Sequence, residues 1–135
     1  MSNRNRDAGH SFERTVIKRF KAIGFSNVGS SRFHNRKRDH EKVDLANADE
    51  LKHGRFPYNV QCKTTASSLN YPKLLEELPL VPGIVNVVVH RRTRKIGKIF
   101  RVTGLYAFLY MEDYLNMVEE LENYKRLLNE QISSD

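Results

Sequence analysis

Residues 43–64, VDLANADELKHGRFPYNVQCKT, predict two neighbouring strands joined by a turn. Val43–Ala46 is a short strand-like run. Phe56–Thr64 alternates apolar and polar side chains, as a strand with one buried face does. Between them, Asn47–Arg55 contains Asn, Asp, His and Gly, which favour a turn. The rest of the fold can be predicted outward from this unit.

The flanking sequence predicts helices and further strands around the unit. The other predicted elements are a helix over His10–Ile23 ending at Gly24, a strand over Phe25–Ser31, a polar loop over His34–His40, a helix over Tyr71–Leu78, a strand over Ile84–Val89, a basic hairpin turn over Arg91–Lys98, a strand over Ile99–Val102 and a helical pattern over Tyr106–Ile132. This order favours one α/β domain over residues 1–135 with a mixed central β-sheet. We expect residues 1–8 to form a flexible basic arm and residues 111–132 to form the C-terminal helix.

Basic residues are concentrated in two stretches of a chain whose net charge is +7. Residues 1–42 hold 11 Lys and Arg against 4 acids, and residues 91–101 hold 6 with no acid. Residues 112–135 are the opposite, with 7 acids against 2 bases. A polyanion would be attracted to the two basic stretches, so we expect a nucleic acid partner.

The composition argues against several other classes of protein. A single cysteine, Cys62, rules out an internal disulfide and favours a reducing compartment. No apolar run approaches the ~18 residues that a membrane span requires, and the polar start is unlike a signal peptide. The five histidines and Cys62 fit no usual zinc spacing. We therefore expect a cytoplasmic protein of a bacterial or phage-infected cell, with no membrane partner.

Four polar residues match the needs of phosphodiester hydrolysis. That reaction requires a positioned water and positive charge on the transition state, which a carboxylate-bound divalent metal and a lysine supply. Gln61 and Lys63 share one strand face, because side chains alternate along a strand. If the two strands pair, Asp44 lies beside Gln61. Glu13, on the first predicted helix, could lean over the same place.

These residues carry a resemblance to known nucleases. Asp44 with Gln61-Cys62-Lys63 resembles the PD-(D/E)XK signature. Gly9–Arg14 followed by Gly24-Phe25 resembles the opening of archaeal and phage Holliday junction resolvases. The similarity runs from about Gly9 to Leu75. It implies a three-layer restriction-endonuclease-like fold with helices on both sides of a mixed sheet.

The resemblance also implies a role for each matching residue. Glu13 and Asp44 would bind Mg²⁺, with Mn²⁺ as a possible substitute, through their carboxylates. Gln61 would occupy the second acidic position, and the backbone carbonyl of Cys62 would be a further ligand. Lys63 would position the attacking water and neutralise charge on the phosphate.

A functional serine and a set of DNA contacts complete the implied site. Ser30 or Ser31 matches the place where these resolvases carry a serine near the cut phosphate, and Ser31 is the one we assign to catalysis. The residues expected to contact nucleic acid lie at the end of the first strand and in the basic stretches: Arg14, Ser30, Ser31, Arg32, Arg36, Lys37, Arg38, Arg91, Arg92, Arg94 and Lys95.

The sequence departs from the family pattern at two positions. Val43 replaces the proline, which is a common change in such families. Gln61 replaces an acid, so one formal charge is lost, and we expect lower metal affinity with Glu13 compensating.

The function that follows is a metal-dependent, structure-selective DNA endonuclease. It would act as a Holliday junction resolvase in DNA recombination, with a homodimer making paired nicks in branched double-stranded DNA. Another PD-(D/E)XK nuclease, of nicking or restriction type, is one alternative. A catalytically silent nucleic-acid-binding module is a second, and an interaction domain using the acidic C-terminal helix is a third.

Overall fold

The computed structural model describes residues 3–134. A long helix precedes three strands, a further helix leads into a hairpin, and a second long helix ends the chain. The elements are α1 (Asn3–Ile23), β1 (Val28–Ser30), α2 (Ser31–His34), α3 (Arg36–His40), β2 (Leu45–Asn47), α4 (Glu50–His53), β3 (Tyr58–Thr65), α5 (Tyr71–Glu76), β4 (Val85–Ile96), β5 (Ile99–Leu109) and α6 (Met111–Ser133).

The strands form two hydrogen-bonded groups. β1 pairs antiparallel with β2, while β3, β4 and β5 form a mixed sheet in that order. β3 and β4 are parallel, and α5 lies in the crossover that parallel strands require. β4 and β5 form an antiparallel hairpin whose turn contains Gly97 at φ 64°, a left-handed conformation that glycine adopts readily. The fold is therefore mixed α/β.

The first face of the sheet is covered by α1. The apolar stripe of this helix packs on side chains from β1, β2 and β3, and the buried members of the cluster are Phe12, Val16, Val28, Leu45, Phe56 and Val60. Phe20 and Phe25 meet the Phe56 ring edge-to-face with centroids 5.1 and 5.3 Å apart. Aromatic pairs favour this arrangement, so α1 is fixed firmly on the sheet.

The opposite face of the sheet is covered by α5. Leu75 and Leu78 pack on Val88 of β4 and on Val43, which precedes β2. Because side chains alternate along β3 and β4, the residues next to those beneath α1 face α5. Helices on both faces and a mixed sheet between them are the coarse architecture that the sequence predicts.

The start of the chain differs from expectation. α1 begins well before His10, so residues 3–8 of the expected flexible arm are helical. Residues 1–2 lie outside the described part of the chain. Arg91 explains part of the difference, because its guanidinium donates to the Ala8 carbonyl at 2.9 Å and so connects β4 to the early turns of the helix.

The hairpin formed by β4 and β5 is longer than the sequence predicts. Arg91–Lys98 was expected to be a turn, but the strand continues to Ile96 and the turn is confined to two residues. The helical pattern from Tyr106 becomes a helix only at Met111, because Leu105–Leu109 pairs with β4, and the C-terminal helix expected over residues 111–132 is confirmed. Cross-strand pairing of this kind overrides a local helical pattern.

The polar connections are more ordered than their composition suggests. His34–His40, expected as a loop, lies mostly within two short helices. Between them, the Asn35 side chain accepts a hydrogen bond from the Arg38 amide and caps α3. The turn predicted over 47–55 contains α4. No helix within residues 3–134 combines the length and the apolar character of a membrane span.

Truncating the aromatic core should test this packing. We expect Phe56→Ala to lower the free energy of unfolding by about 3–5 kcal/mol, because Phe56 is 2% exposed and the cavity would not be refilled. Urea denaturation followed by circular dichroism measures the change. Leu51→Ala, at a fully exposed position on α4, is the control and should change it by less than about 0.5 kcal/mol. Equal effects of the two substitutions would contradict the described core.

Candidate active site

Asp44 lies at a fork between the two strand groups. Its amide donates to the Val60 carbonyl of β3, and its own carbonyl accepts from the Ser31 amide, each at 2.8 Å. Its carboxylate then accepts the Cys62 amide of β3 at 2.7 Å. A side chain thus occupies a position in the β ladder that a backbone carbonyl would otherwise fill. The β1–β2 pair and the three-stranded sheet, which are separate hydrogen-bonded groups, are therefore joined at this residue.

Glu13 reaches the same region from α1. The residue is 7% exposed, which is rare for a glutamate unless it is paired. Ser30 donates its hydroxyl to Oε1 of Glu13 at 2.7 Å, and Arg32 approaches the same oxygen at 3.3 Å. The Glu13 carboxylate is therefore held by β1 and α2.

Electrostatic effects link Asp44 to both Glu13 and Lys63. The pKa of Asp44 is raised from 3.8 to about 6, chiefly by burial, and the nearby negative charge of Glu13 acts in the same direction. The Cys62 amide and the Lys63 ammonium oppose this shift and lower the pKa. Burial, Asp44 and Glu13 likewise raise the pKa of the Cys62 thiol well above its usual range. Glu13 and Lys63 thus both act on the Asp44 carboxylate, in opposite directions.

Gln61 and Lys63 lie on the face of β3 that is turned towards α5, and Lys63 is within electrostatic reach of Asp44. Gln61 pairs in register with Val88, whose side chain belongs to the cluster beneath α5. It is 5% exposed, and its Oε1 has no hydrogen-bond partner among the described residues. Such an atom is costly to bury. Lys63, two residues further on, is only partly buried.

The donors at the fork fit a hard cation. The carbonyl of Cys62 points to the same strand edge as its amide, hence towards Asp44. Carboxylate, carbonyl and amide oxygens are the ligands that Mg²⁺ prefers. Among the described residues, no three His, Cys, Asp or Glu side chains form a group that could hold a metal. A cation here would therefore need Gln61, the Cys62 carbonyl or water besides Asp44 and Glu13.

The structure gives Ser30 and Ser31 different roles. Ser31, the serine that we expected at the cut phosphate, is fully buried and donates its hydroxyl to the Val43 carbonyl. A phosphate cannot reach it in this arrangement, so its role is to join α2 to the segment before Asp44. Ser30 is the serine beside the carboxylates, through its bond to Glu13.

The expected nucleic-acid-binding arginines and lysines divide into two groups. The exposed members, which remain accessible to a phosphate, are Arg14, Arg36, Lys37, Arg92, Arg94 and Lys95. Arg38 instead forms ion pairs with Glu41 at 3.0 Å and Glu50 at 3.6 Å. Arg91 lies over the Phe12 ring, 5.0 Å from its centroid, and Arg32 bridges Glu13 and His10. These three side chains hold the fold around the site.

A buried histidine lies beside Lys63, and the sequence did not predict it. His90 pairs in register with Lys63 and is fully buried. Its ring nitrogens contact the Tyr71 hydroxyl at 2.7 Å and the Thr65 hydroxyl at 2.9 Å. Burial lowers its pKa, so the neutral form is favoured. The only sequence signal was its position directly after the apolar run of β4.

Comparison with known protein families, curated proteins and solved structures gives no match to this chain.

The Asp44 carboxylate should destabilise the metal-free protein at neutral pH. Its pKa is higher in the folded state than the usual 3.8, so this group favours folding more as the pH falls through about 6 towards 4. We expect Asp44→Asn to raise the free energy of unfolding at pH 7.5 by roughly 1–2 kcal/mol, and the gain to shrink near pH 4. Urea titrations at both pH values, with EDTA present, measure it.

The control for this experiment is Asp49→Asn, which removes the same charge from an exposed position. It should change stability by less than about 0.5 kcal/mol at either pH. A loss of stability in Asp44→Asn at pH 7.5 would show that the charged carboxylate stabilises the fork.

Proposed function

We propose that the chain is an Mg²⁺-dependent, structure-selective DNA endonuclease of the PD-(D/E)XK kind, most like a Holliday junction resolvase. It acts in the cytoplasm on branched double-stranded DNA, as a homodimer that makes paired nicks. The observation that carries the proposal is the fork, where the Asp44 carboxylate accepts the Cys62 amide within electrostatic reach of Glu13 and Lys63.

The position of the fork in the fold supports the proposal that the chain is a nuclease. α1 brings Glu13 ahead of three strands, as the resemblance to resolvases implies. Asp44 immediately precedes β2, and β3 carries both Gln61 and Lys63. A helix then crosses to a parallel strand. A restriction-endonuclease-like fold is therefore the finer architecture that we propose.

Each residue at the fork has a chemical task in this proposal. Bound Mg²⁺ would supply positive charge at the scissile phosphate and lower the pKa of a water. Asp44 and Glu13 hold the cation, with the Cys62 carbonyl and Gln61 as neutral donors. Lys63 donates to the attacking water or to a phosphate oxygen and neutralises its charge. Ser30 and Arg32 keep Glu13 oriented.

The exposed basic residues suit contacts to DNA backbone and not to bases. Lys37 and Arg36 lie on α3, and Arg92, Arg94 and Lys95 lie on β4. The short helix α3 and the hairpin strand β4, which carry all of the exposed basic contacts except Arg14, offer no recognition helix for the major groove. Phosphate contacts position a duplex without reading its sequence, which fits recognition by shape. Binding should weaken steeply as salt increases.

One observation favours a second candidate, a catalytically silent nucleic-acid-binding module. Gln61 stands where related nucleases carry an acid, and its buried Oε1 is unpaired among the described residues. With a neutral glutamine in place of that acid, the cation site would be weaker and the basic surface would be intact. A nicking or restriction-type nuclease on the same fold would keep the fork and differ only in its DNA substrate.

A cleavage assay separates these candidates. We expect Mg²⁺ and a labelled four-way junction to give paired symmetric nicks, with linear duplex, flap and single strand uncut. Asp44→Asn and Lys63→Met should each lower the rate by about 100-fold or more, because they remove a cation ligand and a charge at the phosphate. Lys52→Met, at an exposed position on α4, should cut normally.

Each pattern of cutting has a distinct meaning. Cutting of every substrate would support a nuclease but contradict the proposal that it is a Holliday junction resolvase. Tight binding of DNA with no cutting in Mg²⁺ or Mn²⁺ would favour the silent module. Equal activity of Asp44→Asn and the unmodified protein would place the chemistry elsewhere.

Restoring the missing acid should strengthen the cation site. We expect Gln61→Glu to bind Mn²⁺ about 10-fold more tightly, because affinity for hard cations increases with the number of charged ligands. Isothermal titration calorimetry at pH 7.5 measures this without any activity. Gln131→Glu, which adds the same charge at an exposed position on α6, should leave the affinity unchanged. An unchanged affinity in Gln61→Glu would exclude Gln61 from the site.

A further inference from the structure

α6 has a broad apolar face that nothing in the described chain covers. Every residue of this 23-residue helix except Asp113 is exposed. Its large exposed apolar side chains are Met111, Tyr114, Leu115, Met117, Val118, Leu121, Tyr124, Leu127, Leu128 and Ile132. At 100° per residue most of them cover about half of the helix circumference. A coiled-coil seam is narrower than this, so a broad surface suits α6 better than a single partner helix.

An uncovered apolar groove lies between α1 and β5. It has a volume of about 330 Å³ and is lined by Phe12, Val16, Phe20, Val89, Leu105 and Ala107, among others. Leu105 is 54% exposed although it faces the α1 side of the sheet. The groove is continuous with the core under α1, because Phe12 and Val16 belong to both. A helix placed there would extend the existing core.

The charges of the two surfaces are opposite. Residues 111–135 hold 7 acids and 2 bases, a net charge of −5 in a chain of +7, so residues 1–110 carry +12. Arg19 lines the groove itself, and Lys18 lies next to it on an exposed part of α1. Acidic side chains flank the apolar face of α6 on its two sides, at Glu119 and Glu120. A charged rim of this kind fixes the orientation of two surfaces as they approach.

We propose that α6 of one copy docks in the α1–β5 groove of a second copy, and that the second copy does the same in return. Within residues 3–134 each chain offers the exposed apolar face of α6 and the α1–β5 groove, so a two-fold dimer covers both with identical contacts. The helix and groove together supply roughly the 20–30 residues that one side of a stable interface contains. This interface specifies the homodimer of the proposed function.

Mass measurements on blocked variants test this arrangement. The helix variant Leu121→Glu/Leu128→Glu and the groove variant Ala107→Glu each place charge in the contact at exposed positions, so both should fold. We expect the unmodified chain to sediment near twice 15.8 kDa, and each variant to raise the dimer Kd by about 100-fold or more. Leu51→Glu, exposed on α4, should remain dimeric. Circular dichroism verifies that every variant is folded.

Mixing the two variants gives the sharper result. The intact helix of the groove variant can enter the intact groove of the helix variant, so a tagged mixture should form heterodimers that neither variant forms alone. A groove variant as dimeric as the unmodified chain would overturn the proposal in favour of pairing between two α6 helices. An unmodified chain that stays monomeric up to about 100 µM would overturn it in favour of a different partner.

The readout is independent of catalysis. Asp44→Asn should dimerise like the unmodified chain, whether or not the protein cuts DNA. A dimer without nuclease activity would therefore contradict the proposed chemistry alone, and a nuclease that is monomeric would contradict the interface alone.

Discussion

The structure depends on the contact between the Asp44 carboxylate and the Cys62 amide. This bond and the bond from the Asp44 amide to Val60 join the β1–β2 pair to the three-stranded sheet. A carboxylate at this point satisfies a backbone amide but loses much of its hydration, which is why its pKa rises to about 6. A structural role alone would be served as well by a neutral side chain. The cation site proposed above would account for the buried charge.

The surroundings of Asp44 place a second carboxylate beside it. Glu13 is buried beside it even though like charges repel, and Ser30 and Arg32 supply hydrogen bonds that make its burial tolerable. Lys63 and the neutral His90 face the other side of the sheet, where the Tyr71 and Thr65 hydroxyls satisfy the imidazole. Asp44 thus has one carboxylate and one lysine within electrostatic reach, which is the set of charges that the proposed hydrolysis requires.

Residues whose environment is set by local alternation could be predicted from the sequence. The shared face of Gln61 and Lys63 and the apolar stripe of α1 follow from strand and helix periods alone. Contacts between residues far apart in the chain determine the features that could not be predicted from the sequence. Ser31 is buried against the segment before β2, where its hydroxyl donates to the Val43 carbonyl. Arg38 forms ion pairs with Glu41 before β2 and with Glu50 after it. The residues of β5 before Leu109 form a strand because β4 lies beside them.

The two proposed uses of the sheet do not compete for the same surface. Gln61, Lys63 and His90 face α5, as does Arg92, because their positions alternate with those beneath α1. The groove that would receive α6 opens on the opposite face. An acidic helix docked there would keep its negative charge away from the phosphate-binding side. A basic body with an acidic terminal helix can then bind DNA and a second copy at once, since Phe12 and Val16 of α1 line the groove while Glu13 of the same helix points to Ser30 and Arg32.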